Sequence, residues 1–280
     1  MLPRRALPAL IAALATPGAA ARAEAGRLRI GGTGMALATI RHLGDRFAAR
    51  HPGLAFDILP SLGTGGGIRA LLARAIEIGL LARPLLAEEA AQGLRASPLA
   101  RTPIAIVTGS SPGNAPAAAD AQGMTLPRLA AVLRGEVTTW PDGARLRLVR
   151  REASDADWLL LASLSPEMER SVAAAHRRPG LVTVGTDQEN AEALQTMAGS
   201  LGLMSIGQLR AEALRLHPLP LDGVAPDIAA VEAGRYPLSR TLHTAWLGQP
   251  APAAAAFLDF LAGAEARAML AGLGYGPPVP

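Results

Sequence analysis

The sequence predicts an α/β protein of two lobes, each a mainly parallel sheet flanked by helices, with a ligand cleft between the lobes. Short apolar strands alternate with helically spaced segments over the first third of the chain. A second series of alternating elements occupies the middle of the chain. The last apolar strand, at 241–247, follows that series and indicates a return to the first lobe. Two lobes around a cleft are typical of proteins that close on a ligand.

The elements of the first lobe form a β-α-β-α-β series, with strands at 27–31, 54–59 and 76–81 and a helix marked by Leu37, Ile40, Leu43 and Phe47. In such parallel sheets, ligands gather at the carboxyl ends of the strands. The remaining strands are expected at 104–107, 146–149, 182–184, 201–206 and 241–247. The remaining helices are expected at 126–134, after the polar loop 150–157, at 187–197 and at 252–270.

A glycine-rich stretch at 63–67 follows the second strand, and helical spacing starts again at Ile68. A helix starting near Gly66 would present unpaired backbone N–H groups and the positive end of its dipole, which together suit an anion. The stretch continues into Ile68-Arg69 instead of Lys-Ser/Thr, which excludes a P-loop.

Residues 1–23 are predicted to be a signal peptide. Arg4 and Arg5 precede a short apolar run at 6–15, and Ala21-Arg22-Ala23 is a cleavage motif, so Glu24 would begin the mature protein in the periplasm. A buried first helix is the alternative. The two arginines also permit a twin-arginine export route.

Charge and composition exclude several functions. The chain has 27 Lys and Arg residues against 23 Asp and Glu, and removal of the signal peptide leaves 24 against 23, so charge does not favour nucleic-acid binding. The sequence contains no Cys and no Lys, which excludes thiol and Schiff-base chemistry. The five histidines are scattered. No catalytic residue, cofactor or metal is therefore expected.

An ordered set of short motifs resembles the periplasmic phosphate-binding proteins of ABC importers and, more widely, the type II periplasmic-binding-protein fold. The resemblance covers nearly the whole mature chain. The motifs lie at residues 32–34, 62–68, 78–79, 83–85, 140–143, 151–155, 202–205, 236–240 and 273–275. It implies lobe 1 at 24–105, lobe 2 at 106–212, and a return to lobe 1 with C-terminal helices at 213–280.

The resemblance also implies the ligand residues. The first turn would offer a hydroxyl and amides, the glycine-rich stretch a hydroxyl and amides, and the second lobe an arginine. The implied ligand-binding residues are Thr33, Gly34, Met35, Thr64, Gly65, Gly66, Arg83, Arg151 and Asp155.

Two stretches depart from the family pattern. Ala82 stands where phosphate binders have an aspartate, and Asp155-Ala156-Asp157 stands where they have Ser-Gly-Thr. A carboxylate about 4 Å from a bound anion would cost roughly 4 kcal/mol at an effective dielectric constant of about 20. Either Asp155 or Asp157 caps the helix and points away from the cleft, or the ligand is a neutral or cationic solute or a partner group that supplies its own base.

The leading hypothesis is a monomeric carrier that binds an oxyanion such as phosphate and delivers it to an ABC permease in the inner membrane. A diverged module that binds another small solute, or that serves in sensing or assembly, is the second. The third is a serine hydrolase, because Ser200 lies in a sequence similar to G-x-S-x-G. The helix precedes Ser200 and the strand follows it, which is the wrong order for that motif.

Overall fold

The computed structural model describes residues 26–109 and 123–278. The predicted signal peptide lies outside the described residues, as does most of the proline- and alanine-rich stretch at 109–121, whose sequence predicts turns. Strands alternate with helices along both described segments. The strands are β1 (Arg27–Gly32), β2 (Ala55–Ile58), β3 (Ile78–Leu81), β4 (Leu94–Gly109), β5 (Arg147–Arg151), β6 (Val182–Val184), β7 (Ser200–Ser205), β8 (Leu216–Leu219) and β9 (Ser239–Leu247).

The strands form one continuous sheet in the order β2-β1-β3-β9-β4-β7-β5-β6, with β8 paired to β4. The pairs β1–β2, β1–β3, β5–β6 and β5–β7 are parallel. The central pairs β3–β9, β4–β9, β4–β7 and β4–β8 are antiparallel. The predicted α/β fold is therefore confirmed, but each half of the sheet is mixed, with two parallel and two antiparallel pairs, because the chain crosses between the halves through β4 and β9.

Strand β4 connects the two halves of the sheet. Its residues from Leu94 to Pro103 pair with β9, and its residues from Ile104 onward pair with β7 and β8. The predicted boundary at 105/106 remains a prediction, but it falls at this change of partners. The boundary at 212/213 also remains a prediction. Strand β8, which follows that boundary, pairs with the second half of β4. The pairing therefore favours a later boundary, with the return to the first lobe nearer to β9.

Helices cover the sheet on both sides. A short 3-10 helix (Gly34–Ala36) follows β1. The α-helices are α1 (Leu37–Ala48), α2 (Gly63–Leu72), α3 (Ala87–Ala91), α4 (Leu126–Arg134), α5 (Ala156–Ala162), α6 (Pro166–Arg177), α7 (Asp187–Thr196), α8 (Ile206–Ala211), α9 (Ile228–Glu232), α10 (Pro252–Ala262) and α11 (Ala264–Gly272).

Three elements differ from the sequence prediction. Helix α2 begins at Gly63, three residues before the predicted start. The single helix predicted at 252–270 is two helices that meet at Gly263. Strand β4 is far longer than the strand predicted at 104–107. The prediction was short because the two prolines of β4 argue against a strand. The sheet accommodates Pro98 beside an irregularity in the pairing with β9.

All four phenylalanines pack together in the core of the first lobe. Phe257 of α10 contacts Phe56 of β2 at a ring-centroid distance of 4.8 Å and Phe47 of α1 at 5.3 Å. Phe260 lies 5.3 Å from Phe47. Aromatic groups bury large areas and favour such edge-to-face contacts. This cluster fixes α10 against α1 and β2, so that the C-terminal part of the chain completes the N-terminal half of the molecule.

Candidate functional site

A cleft of about 590 Å³ lies at the carboxyl ends of β1, β2, β3, β5 and β6. It brings together the predicted ligand residues Thr33, Met35, Thr64, Gly65, Gly66, Arg83, Arg151 and Asp155. Gly34 is buried beside it. We call the residues after β1, β2 and β3 (33–36, 61–69 and 82–83) the first wall. The residues after β5 and β6 (151–157 and 185–187) form the second wall. The ligand roles of these residues remain predictions.

Two glycines shape the turn at the base of the first wall. Gly32 has a φ of +140°, and a Cβ there would lie 2.1 Å from the Leu80 carbonyl oxygen. A Cβ on Gly67 would lie 2.9 Å from the Gly32 Cα. The turn places the amide of Thr33 2.9 Å from the Leu80 oxygen, to which it donates. Close approach of the helix and the turn therefore depends on the absence of side chains at both positions.

The start of α2 supplies the donors of the first wall. The Leu62 amide donates to the Gly32 carbonyl at 3.0 Å. Because the helix begins at Gly63, the amides of Gly63, Thr64 and Gly65 have no acceptor within the helix. The Gly66 amide is the first that donates within the helical hydrogen-bond pattern. The Thr64 Oγ1 accepts from the Ala82 amide at 3.0 Å, which leaves the hydroxyl proton free to donate to a ligand.

Arg69 lies on the next turn of α2 and was not among the predicted site residues. Its side chain is exposed, lines the cleft and has no ion-pair partner among the residues that the structure describes. A Cβ on Gly65 would lie 3.5 Å from the Arg69 Nη1, so the guanidinium group covers the glycine. Helical spacing of four residues from Gly65 could have indicated this position from the sequence.

The second wall begins with a buried ion pair. The Arg151 Nε lies 3.0 Å from the Asp155 Oδ2, and the Arg151 Nη2 is also 3.0 Å from that oxygen. Asp155 is the N-cap of α5, where its Oδ1 accepts from the amides of Asp157 at 3.0 Å and Trp158 at 3.2 Å. Asp155 therefore both caps the helix and faces the cleft. The Arg151 Nη1 is buried and has no hydrogen-bond partner in the described part of the chain.

Asp157 has a different partner, which was not predicted from the sequence. Its Oδ1 accepts from the Nε of Arg240, at the start of β9, at 2.8 Å. Arg240 also donates to the carbonyl oxygens of Ala82, at 3.1 Å, and of Ala156. Burial raises the pKa of Asp157 to about 6, although Arg240 acts to lower it. Arg240 thus joins the start of α5 to the end of β3.

Asp187 is a further residue that the sequence analysis did not assign to the site. It is the first residue of α7, next to the N-cap Thr186, and its Oδ1 lies 3.6 Å from the Arg151 Nη2. The Met35 backbone amide of the first wall acts to lower its pKa, and a Cβ on Gly34 would lie 2.6 Å from its Oδ2, so the carboxylate lies against the turn after β1. Burial raises the pKa of Asp187, partly opposed by Arg151. Its place just beyond the carboxyl end of β6, at the same edge of the sheet where Arg151 ends β5, is the signal that could have identified it.

Arg83 is held away from a ligand role by a neighbour. Its guanidinium group makes two hydrogen bonds to the Glu89 carboxylate, at 2.7 and 2.8 Å. These bonds hold the pKa of Glu89 below its usual value. The pair leaves Arg83 at the edge of the cleft with its charge compensated.

The charges of the cleft nearly cancel. Three arginines line it, at 69, 83 and 151, together with four carboxylates, at 152, 155, 157 and 187. The local field therefore does not favour a multiply charged anion. The site offers an anion directed hydrogen-bond donors instead: free amides, hydroxyls and the unpaired nitrogen of Arg151.

Ser200 does not have the placement of a nucleophile. It is fully buried; its hydroxyl donates to the Leu194 carbonyl oxygen at 2.6 Å and accepts from the Gly109 amide at 3.0 Å. Within residues 26–109 and 123–278, no group of three or more His, Asp or Glu side chains could hold a metal ion. Over the same residues, no helix has the length and apolarity needed to cross a membrane.

Solved structures with this fold include several phosphate-binding proteins. A putative phosphate ABC transporter substrate-binding protein from Clostridium perfringens, with bound phosphate, is 18% identical with a TM-score of 0.72, over 91% of this chain and 100% of that one. An ABC-type phosphate transport receptor from Vibrio cholerae is 21% identical with a TM-score of 0.61, over 90% and 100%. A high-affinity periplasmic phosphate-binding protein, PfluDING, bound with phosphate, is 15% identical with a TM-score of 0.65, over 91% of each chain.

At these identities the structural likeness shows the fold. No curated protein matches the chain. The model of the PBP superfamily domain matches residues 17–265, which is most of the sequence. This match agrees with the sheet order and with the motifs at the two walls. The chain belongs to the PBP superfamily.

Proposed function

We propose that the mature protein is a periplasmic solute-binding protein of an ABC importer, which captures an oxyanion, inorganic phosphate in the first instance, between its two lobes. The observation that carries the proposal is the buried Arg151, whose Nη1 is unpaired and whose guanidinium group lines the same cleft as the start of α2. A helix N-terminus and a guanidinium group are both strong donors to anions.

In this proposal each wall contributes donors to the ligand. The first wall supplies amides at Met35 and at 63–65 and the hydroxyls of Thr33 and Thr64. The second wall supplies Arg151. Closure of the lobes would bring these donors onto one anion, no reaction would be catalysed, and the closed monomer would dock on an inner-membrane permease.

The structural neighbours support the same role. The alignments with these proteins cover about nine-tenths of this chain. Two of the proteins have bound phosphate, and two are described as components of phosphate ABC transport. One of them is periplasmic, which agrees with the predicted signal peptide at 1–23. Function does not follow from fold alone, so the ligand must be tested directly.

Calorimetry on residues 24–280 with phosphate, sulfate, molybdate and tungstate tests the proposal. We expect at least one of these anions to bind with a Kd well below about 1 mM. Arg151→Gln should abolish binding, whereas Arg170→Gln, on the exposed face of α6, should not alter it. Absence of binding for all four anions at about millimolar concentration would reject the oxyanion role.

A second candidate is a diverged module that binds a neutral or cationic solute. The observation that favours it is the excess of carboxylates in the cleft, of which Asp155, Asp157 and Asp187 all lie on the second wall. On this hypothesis, the double variant Asp155→Ser with Asp157→Thr gains phosphate binding that the parent lacks. Phosphate binding by the parent itself would make this second candidate unnecessary.

A further inference from the structure

The carboxylate of Asp187 lies against both walls at once. Its Oδ2 is beside the turn at Gly34 and Met35 on the first wall, and its Oδ1 lies 3.6 Å from the Arg151 Nη2 on the second. Both Met35 and Arg151 are among the residues predicted from the sequence to hold the ligand. One carboxylate of the protein therefore lies where an oxyanion held by these two residues would need to be.

The contact with the first wall is close. A Cβ on Gly34 would lie 2.6 Å from the Asp187 Oδ2, so only a glycine leaves room for this carboxylate. The neighbouring Gln188 donates from its Nε2 to the Gly34 carbonyl oxygen at 3.1 Å. Asp187 and Gln188 together thus join the start of α7 to the turn after β1, across the cleft.

We propose that Asp187 is an internal competitor for the anion: its carboxylate takes the donors of Met35 and Arg151 in the empty protein and must leave them, or lose its charge, before an oxyanion binds. This inference rests on the oxyanion-binding role proposed above. It makes Asp187 a residue that sets affinity and selectivity, because only an anion with stronger acceptors than one carboxylate displaces it.

The groups around Asp187 indicate how the competition depends on pH. Arg151 on β5 and the Met35 amide stabilise its charge, whereas Asp155 and Asp157 at the start of α5 and Glu212 after α8 oppose it. Glu212 is itself held by the amide groups of Gln188 and Gln208. Burial raises the pKa of Asp187. Protonation at falling pH removes the competing charge from beside Met35 and Arg151, whose Nη2 keeps its contact with Asp155.

Titration calorimetry with sulfate and phosphate on residues 24–280 tests the inference. We expect Asp187→Asn to bind sulfate at least about tenfold more tightly than the wild type at neutral pH, which corresponds to about 1.4 kcal/mol. Asp45→Asn, an exposed aspartate on α1 outside the cleft, is the matched control and should leave the affinity unchanged. Equal or weaker binding by Asp187→Asn overturns the inference, and weaker binding of phosphate alone would make Asp187 a ligand contact.

The outcomes separate this inference from the proposed function. If the wild type binds phosphate and Asp187→Asn binds neither anion more tightly, the competitor is rejected and the carrier role stands. If the wild type binds no oxyanion and Asp187→Asn does, the competitor is supported and the wild-type carrier role fails. If neither protein binds an oxyanion, both proposals fail.

A second variant and a second measurement guard against misfolding. Asp187→Ser removes the carboxylate with a smaller side chain, and circular dichroism reports whether each variant is folded. As the pH falls from about 8 to about 4, a range in which sulfate keeps its charge, the sulfate affinity of the wild type should rise more than that of Asp187→Asn, because Asp157 titrates in the same cleft in both proteins. The same pH dependence in the two proteins overturns the inference.

Discussion

The two walls of the cleft are built in different ways. The first wall uses backbone groups: glycines at 32 and 67 allow close packing, and the start of α2 presents free amides. The second wall uses charged side chains that pair with one another, among them Arg151 with Asp155 and Arg240 with Asp157. Backbone donors hold their place through local geometry, whereas buried charges depend on their partners. Substitutions should therefore act through steric strain on the first wall and through unpaired charge on the second.

Arg240→Gln should have the largest effect on stability. It removes the donors to Asp157, Ala82 and Ala156 and leaves the Asp157 carboxylate buried without a partner. Loss of one partner of a buried ion pair costs about 3–5 kcal/mol. The loss should be smaller at about pH 5 than at pH 7, because the pKa of Asp157 is about 6 and protonation removes the unpaired charge.

Urea denaturation at both pH values measures this loss, and Arg170→Gln on α6 serves as the control with an exposed arginine. If the free energy of unfolding falls by less than about 1 kcal/mol at pH 7, the second wall does not depend on this ion pair.

Gly32→Ala should have the largest effect on the first wall. The new Cβ would meet the Leu80 carbonyl oxygen at 2.1 Å in a backbone with φ of +140°. We expect a loss of about 2–3 kcal/mol in the free energy of unfolding. Gly53→Ala is the matched control, since Gly53 also has a positive φ, +98°, but has open space around its Cβ position. It should cost only about 1 kcal/mol, and equal losses in the two variants would show that the close approach is unimportant.

The difference between the walls also explains how much of the site was predictable. Local sequence patterns identify the turn at 32–35, Thr64 and the glycine-rich stretch. The structure places them at one edge of the sheet, as the predicted β-α-β-α-β series requires. Arg151 and Asp155 are four residues apart and were also identified. The Arg240–Asp157 pair joins residues 83 positions apart, and no local pattern indicates it.

Other differences have similar physical causes. From the sequence, Asp187 was placed only at the start of a helix expected at 187–197, and Thr186 is the N-cap of that helix, α7. The neighbouring carboxylate of Asp187 reaches the cleft because β6 lies beside β5 in the sheet, and strand order is a tertiary property. Strand β4 was underestimated because its prolines oppose strand formation in isolation, and its pairing with β9, β7 and β8 outweighs that local preference.

The pH dependence of stability gives a smaller effect that is specific to the second wall. Burial raises the pKa of Asp157 to about 6, above the ordinary value of 3.8, so the folded state binds a proton more tightly than the unfolded state. This carboxyl group therefore contributes stability that is present below about pH 4 and is lost as the pH rises to about 6. The expected size is about 1–3 kcal/mol.

Asp157→Asn removes this contribution, so the wild-type minus variant difference in unfolding free energy should fall between about pH 4 and about pH 6. The carboxyl groups of Glu77, Glu89 and Glu265, whose pKa values are lowered, cancel in that difference. A constant difference across this range would mean that Asp157 has an ordinary pKa.

Thr64→Val should have the smallest effect on stability and a clear effect on binding. The Thr64 Oγ1 accepts from the Ala82 amide at 3.0 Å, and its loss leaves that donor without an acceptor at a cost of about 1 kcal/mol. On the proposed function it also removes a donor to the anion, so the phosphate affinity should fall about tenfold. Thr64→Ser keeps both bonds and should restore the affinity. Thr196→Val, whose exposed hydroxyl donates only within α7, is the control. Because the first wall works through single directed bonds, a Thr64→Val protein with normal phosphate affinity would remove the Thr64 hydroxyl from the donors and leave the first wall only its backbone amides and Thr33.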